Sequence, residues 1–184
     1  AILGFGTQSA RDALESKVST AIIEQSATQI FMPNPLMLIA PLGHALAGRK
    51  KLHLQQLSSQ RFILRERGSG TRMAADAHFK KTRFKPELRL ELGSNEAIKQ
   101  AVAGGLGIAV LSRHALHERL DQDDVAVLNV EGFPLTSQWH VVHPKGKQLS
   151  PIAAVFRTHL LEQSVKWSRQ LQSGRTQTDK RTKA

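Results

Sequence analysis

The chain has no cysteine among its 184 residues. That excludes disulfides and thiolate metal sites, and it fits a reducing, cytoplasmic setting. Aromatic residues are scarce, at 5%, with two tryptophans. Trp139 and Trp167 stand alone without an interleaved basic stripe, so a base-stacking surface for single-stranded nucleic acid has no support. No apolar run approaches the ~20 residues of a membrane span, and no charged-then-apolar leader opens the chain, so no membrane partner is expected. Catalytic signatures are missing as well. There is no Gly-x-Ser-x-Gly elbow for a hydrolase, no His-Glu-x-x-His, and no Gly-Lys-Ser/Thr to close a phosphate-binding P-loop. Eight histidines are present. His140 and His143, three apart on a strand, point to opposite faces, while His114 and His117 could share a helix face but lack a carboxylate or cysteine to complete a ligand set. The expectation is no enzyme, no metal and no cofactor.

Positive charge is abundant: 26 Lys and Arg against 15 Asp and Glu, a net of +11. From Lys166 onward six cations face the single acid Asp179, which leaves +6 for the rest of the chain. Residues 173–184 show no apolar periodicity and are expected to form a disordered basic tail. A length of 184 residues with 40% hydrophobic content suffices for one domain or two small lobes.

The most informative stretch is Leu64-Arg65-Glu66-Arg67-Gly68-Ser69-Gly70-Thr71-Arg72. Phe62-Ile63-Leu64 reads as a strand, the glycines as a turn, and Thr71 to Lys81 as a helix. A helix start gathers backbone N–H groups that lack partners, in a field that favours negative charge. Arg65, Arg67 and Arg72 add positive charge, and Ser69 and Thr71 add hydroxyls, so the segment reads as an anion cradle. A tight turn with Ser69 or Thr71 as an ordinary cap is the competing account. A second unit follows. Leu88, Leu90 and Leu92 alternate with charges as a half-buried strand. Gly93-Ser94-Asn95-Glu96 then opens a helix with Ile98, Ala101, Val102 and Leu106 on one face, and Ile108 to Leu111 is a further strand. Ser94 as a plain cap needs no ligand. Two such units in tandem predict a parallel, helix-covered sheet whose helix starts line the carboxyl edge, where open α/β sheets bind ligands. Glu66 and Glu96 follow the two strands, and Arg65, Arg67 and Lys99 beside them point to salt-bridged walls rather than a catalytic pair.

Other elements are plainer. Residues 1–5, 21–23, 37–40, 125–128 and 138–143 read as strands, 9–18 as a helix capped at Ser9, and 54–58 as a helical turn. Ser150-Pro151 starts a closing helix with the stripe Ile152, Val155, Phe156, His159 and Leu160.

These residues resemble the effector-binding domain of LysR-type transcriptional regulators, most closely the regulators of RuBisCO (Calvin-cycle) operons, the CbbR type. The likeness runs through Leu36-Met37-Leu38-Ile39-Ala40-Pro41, His44-Ala45-Leu46-Ala47-Gly48 and Arg65 to Arg72. It continues through Gly93-Ser94-Asn95-Glu96-Ala97-Ile98-Lys99-Gln100-Ala101-Val102, Gly105-Leu106-Gly107-Ile108-Ala109, Val130-Glu131-Gly132 and Trp139-His140-Val141-Val142-His143. Ala45 replaces a usual proline, and Lys17-Val18-Ser19-Thr20 departs from the usual Gly-Glu-Leu-Asp. The family's helix-turn-helix is not among these residues, and Ala1 aligns with the second strand of the sensing domain, so its first strand and helix are expected to be missing.

The resemblance implies a two-lobed α/β fold like type II periplasmic binding proteins, with two crossover strands. Lobe I would be residues 1–61 and 133–172, and lobe II residues 62–132. It implies a sensor in which a small anionic metabolite (a sugar phosphate or organic acid) settles between the lobes. Ser69, Gly70, Thr71, Arg72, Ser94 and Asn95 are the expected contacts, with Gln138 and His140 on the returning strand. A homodimer or tetramer would meet operator DNA only through the helix-turn-helix. The alternative on the same fold is a solute-binding protein for transport of an anionic small molecule.

Overall fold

A computed structural model describes residues 3–7, 26–146 and 148–181, with side chains described over 33–120, 122–146 and 148–166. The helix expected at 9–18 and the strand at 21–23 lie outside the described residues. The chain separates into two compact units, one of Ala1–Pro33 with Gln138–Ala184 and one of Asn34–Ser137. The chain crosses between them twice. In the second unit the two crossing segments run side by side: Asn34 N–H donates to Ser137 O (2.7 Å), and Leu36 and Leu135 exchange N–H···O bonds of 3.0 and 2.9 Å.

The Asn34–Ser137 unit is built on strands β3 (Leu36–Pro41), β4 (Arg61–Arg65), β5 (Glu87–Leu92), β6 (Ile108–Ser112) and β7 (Val125–Val127), in the order β5-β4-β6-β3-β7. Helix α1 (Gly70–Lys81) links β4 to β5, and α2 (Asn95–Ala103) links β5 to β6. The β4 strand is parallel to both β5 and β6, as the tandem units require. The sheet is not wholly parallel, however, because β3 runs antiparallel to β6 and β7. The ladders of β3 to β6 and β7 put it inside this second sheet, and the compact units part at Pro33/Asn34 and Ser137/Gln138.

Alternation along the strands distributes two cores. Leu36 and Leu38 of β3, Phe62 and Leu64 of β4, and Ile108 and Val110 of β6 join Ala75 and Phe79 of α1 and Phe84 in one cluster. Ile39, Ile63, Ala109 and Leu111 point the other way and meet Ile98 and Val102 of α2. Every strand in the middle of this sheet is covered on both sides, which is why β6 reads as a continuous apolar run. Phe62 is the hub, edge-on to Phe79 and Phe84 at centroid distances of 5.7 and 5.6 Å. Gly107 is required by close packing: a Cβ there would lie 2.4 Å from the Arg61 carbonyl oxygen. Leu106, placed on the α2 face from its spacing, lies beyond the helix and is exposed.

The other unit holds β1 (Leu3–Thr7), β2 (Ser26–Pro33) and β8 (Gln138–Pro144), with β8 between the other two and antiparallel to both. Helix α3 spans Pro151–Arg181 and contacts β2. It continues where the sequence reading expected a disordered tail from Ser173; no proline follows Pro151, and Gly174 is the one strong helix-weakening residue in the span. Its predicted apolar stripe faces solvent, with Ile152 84%, Val155 71% and Phe156 49% exposed. The less exposed face instead carries Ala153, Ala154, Arg157, Leu160, Leu161 and Ser164. Among the described residues no helix is long and apolar enough to cross a membrane.

Candidate functional site

The strands β4 and β5 lie side by side in register, with Arg65 opposite Leu92 at their carboxyl ends. The turn after β4 opens α1 and the turn after β5 opens α2, so both helix starts leave the same sheet edge. Both serines cap. Ser69 Oγ accepts from Arg72 N–H at 3.5 Å, and Ser94 Oγ accepts from Ala97 N–H at 3.4 Å. A cap satisfies one of the first N–H groups of a helix and leaves the others open. Gly68, at φ +90°, makes the turn into α1 in a conformation few other residues adopt.

A web of arginines joins the two helix starts. Arg65 grips Glu66 with two contacts, Nε–Oε2 at 2.7 Å and Nη2–Oε1 at 2.8 Å, and donates from Nη1 to Asn95 Oδ1 at 2.7 Å. That bond fixes the Asn95 amide with its NH2 group left as a donor at the start of α2. Arg72 is buried, at 8% exposure, and its donors are taken up by neighbouring groups. Its Nε meets Asp76 Oδ2 at 2.9 Å, and Nη1 reaches both the Arg65 carbonyl at 2.9 Å and Glu91 Oε2 at 2.8 Å. Burial alone would lower the Arg72 pKa, but bonds to Glu91 and Asp76 raise it, so the guanidinium stays charged. Glu66 is held below the ordinary carboxylate range by its bond to Arg65, and Glu91 by Arg72 first and Arg67 second.

The positive charge at this turn is therefore largely matched by carboxylates. What the edge offers a ligand is backbone N–H groups at two helix starts, with the Thr71 hydroxyl and the Asn95 amide. Arg72 shapes the edge from beneath. The structure thus brings Ser69, Gly70, Thr71, Arg72, Ser94 and Asn95 to one edge, whereas Gln138 and His140 lie on β8 in the other unit. Burial lowers the pKa of half-buried His140. Glu66 and Glu96 do not form a carboxylate pair; each has its own cation, Glu96 pairing with Lys99 at 2.9 Å.

A second polar cluster escaped the sequence reading. Lys99, 5% exposed, donates to Asp123 Oδ1 at 2.8 Å. Asp123 also accepts from His117 N–H at 2.7 Å and lies 2.6 Å from His117 Nδ1. Burial would raise the Asp123 carboxyl, but the Lys99 ammonium and the His117 donors override it and hold the pKa at about 2. This cluster fastens α2 to the 3-10 turn Leu120–Asp123. The Glu96–Lys99 spacing was a visible signal, but the distant Asp123 was not. Among the described residues no group of three or more His, Asp or Glu could hold a metal ion.

The geometry is that of an α/β domain with two helix starts paired at one sheet edge. Residues 23–165 match the LysR substrate binding domain, and the chain belongs to that family. It is 47% identical over 130 residues to the transcriptional activator CmpR of Synechocystis sp., covering 71% of this chain and 43% of that protein. It is 44% identical over 136 residues to a RuBisCO operon transcriptional regulator of Acidithiobacillus ferrooxidans, covering 74% and 44%. The chain thus spans under half the length of these relatives. Among solved structures it resembles the CcmR regulatory domain of Synechocystis PCC6803 in complex with 2-PG, with a TM-score of 0.72, 42% identity, and coverage of 76% of this chain and 67% of that one. The effector binding domain of QuiR in complex with shikimate shares the fold at TM-score 0.68 and 19% identity, covering 78% and 67%. The periplasmic-binding-protein-like α/β fold of such effector domains is therefore that of this chain, and these relatives leave the transport alternative without support.

Proposed function

We propose that this chain is the sensing part of a transcriptional regulator of carbon-fixation genes. A small anionic metabolite settles at the β4–β5 edge of the Asn34–Ser137 unit, and its preference for one conformation of the domain biases the regulator. The observation that carries the reading is the pairing of two helix starts on adjacent parallel strands, with Asn95 oriented by Arg65. Ser69, Gly70, Thr71, Ser94 and Asn95 contact the effector, Arg72 holds the edge in shape, and Gln138 and His140 of β8 are the remaining candidate contacts. CcmR, in complex with 2-PG, points to a phosphorylated or carboxylated small acid. In the intact regulator the sensing domains form a dimer or tetramer in the cytoplasm and reach operator DNA through a separate helix-turn-helix, with no cofactor and no catalysis.

Calorimetric titration with 2-PG, sugar phosphates and organic acids tests this. One of these acids is expected to bind, and Thr71→Ala and Asn95→Ala are each expected to weaken it about fivefold, the loss of one hydrogen bond of about 1 kcal/mol. Unchanged affinity in both variants, with the fold intact by circular dichroism, would place the site elsewhere.

A further inference from the structure

The Asn34–Ser137 unit carries a second charged surface that the effector edge does not use. Two basic runs far apart in sequence, Arg49-Lys50-Lys51 and Lys80-Lys81-Thr82-Arg83-Phe84-Lys85, are anchored by neighbouring residues in one core cluster. Leu52 and Leu54 follow the first run, and Phe79 and Phe84 bracket the second. The Gln55 side-chain amide donates to the Thr82 carbonyl at 3.5 Å, which sets the second run beside the segment that follows the first. All seven cations of the two runs are exposed. None of them joins an ion pair among the described residues. The nearby acids Glu131 and Glu87 are already paired, with His53 at 2.8 Å and Arg61 at 3.6 Å. Both runs also contain a non-glycine residue in the left-handed region, Lys51 and Arg83, each at φ 54°. Long cationic side chains at such positions strain the backbone.

We infer that this surface is a sequence-blind contact for the phosphate backbone of double-stranded nucleic acid. The chemistry favours that partner over two others. Leu52 and Phe84, the apolar residues within this surface, point into the core at 2% and 4% exposure, so a protein partner would find no anchor to desolvate. No Phe, Tyr or Trp ring is exposed there for unpaired bases to stack on, and the one exposed imidazole, His53, is held by Glu131. Point charges spread over an irregular surface instead suit a duplex backbone, whose affinity comes from released counterions. This inference is independent of the effector reading, because none of the seven cations touches the β4–β5 edge.

The test is the salt dependence of binding to a fluorescent duplex of arbitrary sequence, using the full chain. In the variant, Arg49, Lys50, Lys80, Lys81 and Lys85 become Gln, while Lys51→Asn and Arg83→Asn suit the left-handed backbone. Each backbone contact contributes about 0.9 to the slope of log affinity against log salt, so the variant is expected to lose a slope of about 3 or more and bind at least about tenfold more weakly at 0.1 M salt. Each run neutralised alone should give a part of that loss, and an unchanged melting temperature shows that the fold survives. A comparison variant with Lys166, Arg169, Arg175, Lys180, Arg181 and Lys183 changed to Gln separates the last cations of the sequence from the patch. Wild-type slope and affinity in the patch variants, with binding lost only in the comparison variant, overturns the inference. So does tighter, patch-dependent capture of a poly-glutamate peptide than of the duplex.

Discussion

Arg72 donates to three acceptors from a position where solvent hardly reaches it, and that fixes what its loss would do. Arg72→Ala would strip Glu91 and Asp76 of their counter-charge and leave the Arg65 carbonyl short of a donor. Chemical unfolding is expected to show a loss of about 2–3 kcal/mol. Arg72→Lys should recover only part of it, because one ammonium cannot reproduce a planar fork. Stability unchanged in Arg72→Ala would mean that the guanidinium is not committed to the fold. The Asp76 partner was legible in the sequence, four residues on along a helix; the bond to Glu91 was not, since only folding brings β5 beside the start of α1. At position 123 the sign of the pH effect follows from the direction of the shift. The Asp123 carboxyl sits at about 2, below its ordinary 3.8, so its contribution is present above 3.8 and disappears as pH falls through 2. The stability gap between wild type and Asp123→Asn in urea should therefore narrow by about 1–2 kcal/mol from about pH 6 to about pH 2.5. A gap that stays constant with pH would sink the assignment.

Among the elements, β3, β4 and β6 were legible as short apolar runs, the pattern of strands covered on both faces, and β5 by its alternation of leucine with charge. Their order in the sheet was not. Nothing in Leu36–Pro41 says that it runs against β6 rather than beside β1, since register and direction are properties of a pair. Gly107 shows how tight the β4–β6 approach is. Gly107→Ala puts a methyl against the Arg61 backbone, which has no flexible end to yield, and should cost about 1–3 kcal/mol in thermal or chemical unfolding. Helix α3 illustrates the opposite limit. Spacing located its apolar stripe, yet periodicity marks a face without naming its cover, and Ile152 and Val155 stand in solvent. Ile152→Gln with Val155→Gln should shift stability by no more than about 0.5 kcal/mol at micromolar protein. A loss of several kcal/mol would show that the stripe is covered in solution.

At the scale of the whole chain, the Asn34–Ser137 unit holds buried clusters on both faces of its sheet, whereas the first turns of α3 present Ile152, Val155 and Phe156 to solvent. Burial at about 25 cal/mol per Å² is what resists opening, so resistance should follow this distribution. Local and sub-global opening free energies range from near zero up to the global value, and regions with few buried apolar contacts sit at the low end. Amide hydrogen exchange read by mass spectrometry should accordingly fall into two classes. Peptides from β4, β6 and α2 should exchange last and together, near the global limit. Peptides from the first turns of α3, where Ile152, Val155 and Phe156 stand in solvent, should exchange orders of magnitude earlier and respond less steeply to added denaturant, because they open with less newly exposed surface. Equal protection across β6 and the first turns of α3, moving together with denaturant, would show that the exposed helix turns open only with the core and overturn this expectation.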